Sequence, residues 1–267
     1  MERETAVAGR FYPSDPARLG ADVARLLAGA GAAPVPQRAV GLLSPHAGYV
    51  FSGMVAGATW AAAEVPERVI LLCPNHTGLG ARVSLWPEGG WQTPLGTAAL
   101  DGPLTAALRE TGLCTADRDA HLAEHAIEVQ LPFLLARRPG ARIAALCLSR
   151  LSFERCQALG QALAAAARAH GAVLVASSDM SHYVPAAVAR ERDRLALDRL
   201  LALDPRGLHE VVERERISMC GVIPATVMLC AALELGATRA RLTGYATSGD
   251  VTGDDRSVVG YAGALVS

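Results

Sequence analysis

The chain has 267 residues, 51% of them apolar and only 4% aromatic, with 25 basic residues, all Arg, against 26 acidic ones for a formal charge of -1. That length can bury a sizeable core built mainly from Ala, Leu and Val, and the near-neutral balance leaves no electrostatic footprint for nucleic acid or an anionic membrane. Cysteines at 73, 114, 147, 156, 220 and 230 form no CxxC pair, which argues against a zinc ribbon or a thioredoxin-type site.

The start, "MERETAVAGRFYP", has two early acids and no long apolar run, so it is not read as a signal peptide, and a cytoplasmic location is the default expectation. Ser14, Asp15 and Pro16 predict a capped helix ending near Ala28, followed by a surface loop, "GAGAAPVPQ", over 29–37. From Ala39 to Ala63 there is no charged residue, a length that could span a bilayer, where ~20 apolar residues suffice. Pro45 and the glycines at 41, 48, 53 and 57 oppose a single helix, and Ser44 and His46 would need polar partners in lipid. The stretch instead predicts a buried strand at 39–44, a turn at 45–48 and then a helix. Further strands are expected at 68–73, 142–149, 172–178, 240–246 and 257–266. Helices are expected near 103–111, 121–137, 153–169, 186–203, 204–214 and 221–235, the last with Pro224 in its first turn. Buried strands alternating with helices predict one α/β domain over 1–267, a mostly parallel central sheet with helices on both faces.

The best strands share an ending: "GLLS" runs into Pro45-His46, "VILLC" into Pro74-Asn75-His76, and "VLVASS" into Asp179-Met180-Ser181-His182. In an open parallel sheet the ligand crevice lies at the carboxyl ends of the strands, so these three histidines can converge there. Imidazole clustered with a carboxylate or thiolate makes a metal site, and Asp179, Glu124, Glu128 and Cys220 are the candidates for the further ligand. Cys220 stands just before a helix, where the dipole favours thiolate. A second cluster, "HLAEHAIEVQLPFLL", puts His121, Glu124, His125 and Glu128 on one face of the helix expected at 121–137 and spells the H-x-x-E-H pattern of inverted zincin peptidases. The same face reads equally as solvated, or as Glu124 or His125 orienting metal ligands.

The stretches "AVAGRFYPSD", "PHAGYVFSG", "CPNHTG", "EHAIEVQLPFL", "SSDMSHY" and "CGVIPATVML", in this order, resemble the Memo-like family, whose bacterial members are called AmmeMemoRadiSam system protein B. That family is similar in fold to the class III extradiol ring-cleavage dioxygenases, a three-layer α/β/α domain with its pocket at strand ends. The resemblance implies that His46 and His76 are metal histidines, that His182 is the acid/base histidine with Asp179 setting its orientation, and that Cys220 stands where the dioxygenases have a ligand Glu. It implies Fe(II) or copper, with zinc also compatible with the softer ligand set, and redox chemistry on an unidentified small-molecule or peptide substrate. It further implies a functional link to AMMECR-type and radical S-adenosylmethionine proteins. Tyr49 and Tyr183 are candidates for pocket walls or for ordinary core aromatics. Two other readings stand beside a dioxygenase-like oxidoreductase: a non-catalytic binding module using the same pocket, and a thiol-dependent hydrolase with Cys220, His182 and Asp179 as nucleophile, base and orienter.

Overall fold

The computed structural model describes residues 2–29 and 35–267, so residues 30–34 of the expected surface loop lie outside the described residues. Helix α1 (Pro16–Ala28) starts where Asp15 accepts the Arg18 amide, with Pro16 in the first turn, and it buries Leu19, Val23 and Leu26 along one stripe. Strand β1 (Gly41–Ser44) is buried on both faces and leads through the turn at 45–48 into α2 (Tyr49–Ala62), so the uncharged stretch folds as strand, turn and helix. At Gly57 an added Cβ would lie 2.3 Å from the Leu26 carbonyl oxygen, so the α1–α2 crossing requires glycine there.

Strand β2 (Arg68–Pro74) is followed by β3 (Val83–Leu85), the hairpin β4 (Gly90–Thr93) and β5 (Gly96–Leu100), α3 (Gly102–Glu110), β6 (Thr115–Ala116) and a short α4 (Asp119–Leu122). Then come α5 (Leu131–Arg137), β7 (Arg142–Leu148), α6 (Phe153–His170), β8 (Ala172–Ser177), the short β9 (His182–Val184), α7 (Ala186–Leu201) and α8 (Pro205–Arg214). The chain closes with α9 (Val222–Glu234), β10 (Ala240–Thr247), α10 (Gly249–Thr252) and β11 (Val258–Val266).

The sheet runs β10-β11-β1-β8-β2-β7-β3-β6, with β1, β8, β2 and β7 mutually parallel at its centre. At one flank β11 runs antiparallel to β1 and to β10, to which a short connection joins it, and at the other β3 runs antiparallel to β7. Alternation along the central strands makes two cores. Leu43, Ile70, Leu72, Leu146 and Leu174 face α6, α8 and α9, whereas Leu42, Val69, Leu71, Ile143 and Val175 face α1, α2 and α5. The fold is therefore α/β with a mixed, mostly parallel sheet between helical layers, as the alternation of elements predicts. Among the described residues no helix is long and apolar enough to cross a membrane.

One predicted element does not form. In place of a helix over 121–137 the chain makes α4, an irregular stretch at 123–127, a 3-10 turn (Glu128–Gln130) and α5. Two causes act together. Glu124 Oε1 accepts the amides of His125 at 2.9 Å and Ala126 at 3.0 Å, a local bonding pattern that competes with a helix, and Pro132 can enter a helix only at its first turn.

Candidate metal centre

His46 follows β1, His76 follows β2, and Asp179 follows β8, the strand between them in the sheet. Because these strands are parallel neighbours, the three turns emerge together at the carboxyl end of the sheet. The rings of His46 and His76 lie 5.3 Å apart, and His125 joins them, 5.4 Å from His46 and stacked 4.8 Å from His76. Cys220 arrives from the segment before α9 with its Sγ 3.3 Å from His46 Nε2. His46, His76 and Cys220 each offer a ligand atom within 4.8 Å of the others, as do His76, Glu124 and His125.

A buried chain of hydrogen bonds sets the tautomer of His46. Trp60 Nε1 donates to Gln130 Oε1 at 2.9 Å, which orients that amide so that its Nε2 donates to the Pro45 carbonyl and to Ser177 Oγ, both at 2.9 Å. Ser177 gives its own proton to the Ala126 carbonyl at 2.7 Å. It can therefore only accept from His46 Nδ1, 2.9 Å away, and His46 Nε2 is left with its lone pair toward Cys220. Burial, then the nearby His76, pushes the His46 pKa down to about 3, so the ring is neutral and a competent ligand.

His76 is held by Glu124, whose Oε2 accepts the His76 amide at 2.8 Å and whose Oε1 lies 2.9 Å from Nδ1. Burial opposes charge on both groups, but their mutual hydrogen bond and attraction win: Glu124 falls to about 2 and His76 rises above its ordinary value. The ionised carboxylate accepts, so Nδ1 carries the proton and Nε2 faces away as the available donor atom. Burial, then His46, takes His125 down to about 4. Glu124 thus fixes the orientation of the His76 ring.

Burial, then the Asp179 carboxylate, pushes the Cys220 thiol well above the ordinary range, and the Asp179 amide donating at 3.2 Å only partly offsets this. The thiol can share its proton with His46 Nε2, 3.3 Å away. The imidazole against the sulfur is that of His46, not His182, so the Cys220–His182–Asp179 triad is not assembled in the form a thiol hydrolase needs. Asp179 also departs from its expected role. Its Oδ1 accepts the His46 amide at 2.8 Å, which fixes the turn that carries His46. His182 is oriented instead by Ser218: its amide donates to Ser218 Oγ at 2.7 Å, and its Nδ1 to the Ser218 carbonyl at 2.8 Å, leaving Nε2 unprotonated in the neutral ring.

The remaining candidates separate cleanly. Tyr49 is a core aromatic, 6% exposed, packed on Phe133 at 4.8 Å and donating to the Val129 carbonyl, so it is not a pocket wall. Tyr183 is 79% exposed beside His182 and holds a positive φ of 57°. His121, Glu124, His125 and Glu128 do not share a helix face: His121 is buried between Trp86 and Trp91, Glu124 binds His76, and Glu128 binds Arg3 and Tyr12. An inverted zincin site is therefore absent.

The donor set fits a transition-metal ion. Bonds of roughly 2.3 Å to sulfur and 2.1 Å to nitrogen in a tetrahedral array place S and N about 3.6 Å apart, close to the 3.3 Å between Cys220 Sγ and His46 Nε2. Both histidines have the distal nitrogen anchored, the arrangement that presents the other to a metal. Two nitrogens and a sulfur suit iron, copper or zinc rather than magnesium or calcium. Ser177 and Gln130, which position His46, and Ser218, which positions His182, were not singled out from the sequence. A signal existed for Ser177, which ends the apolar run at 172–176 two residues before Asp179.

Comparison with known proteins finds relatives along nearly the whole chain. The family model described as Memo-like protein matches residues 3–265. MEMO1 family proteins of Methanopyrus kandleri and Aquifex aeolicus are 42% and 39% identical to the chain, each alignment covering 98% of both sequences. A crystal structure of an uncharacterized protein from Escherichia coli K12 has the same fold with a TM-score of 0.59 at 15% identity, covering 85% of this chain and 100% of that one.

Proposed function

The chain belongs to the Memo-like protein family, and from that premise we propose that it is a metal-dependent oxidoreductase with a dioxygenase-like site, iron or copper being held by His46, His76 and Cys220. The observation that carries this reading is the approach of His46 Nε2 and Cys220 Sγ to 3.3 Å, with both metal histidines anchored through Nδ1. A bound iron or copper ion would supply Lewis acidity and one-electron redox chemistry. Glu124 and Ser177 hold the two imidazoles in the required tautomer, and Asp179 holds the turn bearing His46. His182, its Nδ1 tied to Ser218, offers Nε2 to take a proton from substrate and return it to product. That group favours catalysis over a binding module, which needs no proton carrier.

Anaerobic loading with Fe(II) or Cu(I) followed by elemental analysis tests the ligand set. The wild type is expected to retain one ion per chain and, with Fe(II), to show a sulfur-to-metal charge-transfer band. His46→Ala should lose the ion, and Cys220→Ser should lose the band and most of the affinity. Equal retention in all three proteins would refute the assignment.

A further inference from the structure

A cleft of about 520 Å³ opens beside Cys220 and extends away from the histidines, between the ends of β2 and β7 and the segment linking α8 to α9. Its volume lies within the range of small-molecule sites, roughly 300–1,000 Å³. The floor is apolar and firmly packed, formed by Leu148, Val212, Ile217, Met219 and Ile223, each below 8% exposed. The rim is cationic. Arg150 is paired with Glu213, which cancels its charge, while Arg216 has no ion pair among the described residues. Beyond Arg150 and His209 the cleft continues into a recess bordered by Arg82.

Arg216 stands where its side chain is not what the backbone asks for. It follows the last residues of α8 with φ 52°, and Ile217 N donates to the Val212 carbonyl at 2.9 Å, the bond pattern that ends a helix through a left-handed residue. Glycine is the unstrained choice there, and an L side chain in that conformation is disfavoured. Leu203 takes the same conformation after α7, so an L side chain is tolerated at such a helix end; what distinguishes Arg216 is that its guanidinium borders the cleft mouth, where it can receive an anion.

We infer that this cleft binds the substrate, and that the substrate is a small apolar molecule ending in a carboxylate, its apolar body on the Val212–Met219 floor and its carboxylate at Arg216. The Arg216 guanidinium, with no ion pair among the described residues, matches one negative charge, and the cleft's inner end brings the body of the molecule to Cys220. The inference rests on the proposed metal site for the identity of the ligand as substrate, but binding itself needs no metal.

Calorimetric titration of metal-free protein with 4-phenylbutyrate and with its neutral counterpart 4-phenylbutan-1-ol tests it. The acid is expected to bind roughly tenfold more tightly, the scale of one charge-assisted contact, with the preference shrinking in high salt. Arg216→Lys should keep much of the preference. Arg216→Gly should abolish it while raising the melting temperature, a pair of effects that misfolding cannot produce. Equal binding of acid and alcohol, or a preference that survives Arg216→Gly, would overturn the proposal. Carboxylate binding that is intact in Cys220→Ser, with no metal retained by the wild type, would overturn the metal reading and leave the cleft standing; metal retained without carboxylate preference would do the reverse.

Discussion

The residues that touch a metal in this reading are few, but each is held by a buried partner whose removal should be measurable. Gln130 is the plainest case. It is fully buried, accepts a hydrogen bond from Trp60 Nε1 and donates to Ser177 Oγ and to the Pro45 carbonyl, so it fixes both the His46 ring and the turn that carries it. Gln130→Leu fills the same space without these bonds. It should lower metal affinity by about 10–100-fold in a chelator competition, the usual effect of removing a group that orients a ligand. His46→Ala should abolish binding outright. Glu124→Gln keeps an acceptor for His76 Nδ1 but drops the charge, so its loss should be smaller, nearer tenfold. Undiminished affinity in both variants would mean that the histidines need no such support.

At the scale of elements, the segment at 121–137 shows where the sequence was legible and where it was not. The apolar strands and amphipathic helices announce themselves because burial has a period, and the strand-end positions of His46 and His76 follow from the topology that period implies. The spacing of His121, Glu124, His125 and Glu128 also has a helical period, yet each is drawn to a different partner. Pro132 in the middle of the expected helix was a local warning; Arg3, far away in sequence, was not available as one. Short strands such as β3 and β6 have too few residues to show alternation, so only their neighbours define them. Ser218, which orients His182, has no pattern at all. Glu128 is the clearest product of tertiary context. It is fully buried and accepts from Arg3 Nη1 at 2.6 Å, Tyr12 Oη at 2.6 Å, and the Ala6 and Val7 amides at 2.8 and 3.0 Å, thereby docking the N-terminal segment. Glu128→Ala leaves a buried guanidinium without its partner and should cost about 3–5 kcal/mol in urea unfolding. The paired change Arg3→Met with Glu128→Leu should recover much of that loss, and failure to recover would assign the cost to the Tyr12 and backbone bonds instead.

For the molecule as a whole, packing imidazoles into a dry interior couples stability to pH. His46, His121 and His125 are all lowered, chiefly by burial, to about 3, 4 and 4, whereas an unfolded histidine titrates near 6.5. Between these values the unfolded chain binds more protons than the folded one. Stability from these groups is therefore complete above the unfolded pKa and is lost progressively as pH falls toward the folded values. His121 isolates the effect, because it lies between Trp86 and Trp91, apart from the metal-binding set. For a shift from 6.5 to about 4, its contribution should fall by roughly 2 kcal/mol between pH 7 and pH 5. Urea unfolding of metal-free wild type and His121→Phe at both pH values measures this directly. Phe fills the aromatic slot without a titrating group, so the variant should lose about 2 kcal/mol less than the wild type over that interval, whatever its stability at pH 7. An equal loss in the two proteins would place the acid sensitivity elsewhere. His76, raised by Glu124, works in the opposite sense, gaining a proton in the folded state before the unfolded chain does, so the net acid sensitivity of the fold should be smaller than the three buried rings alone would give.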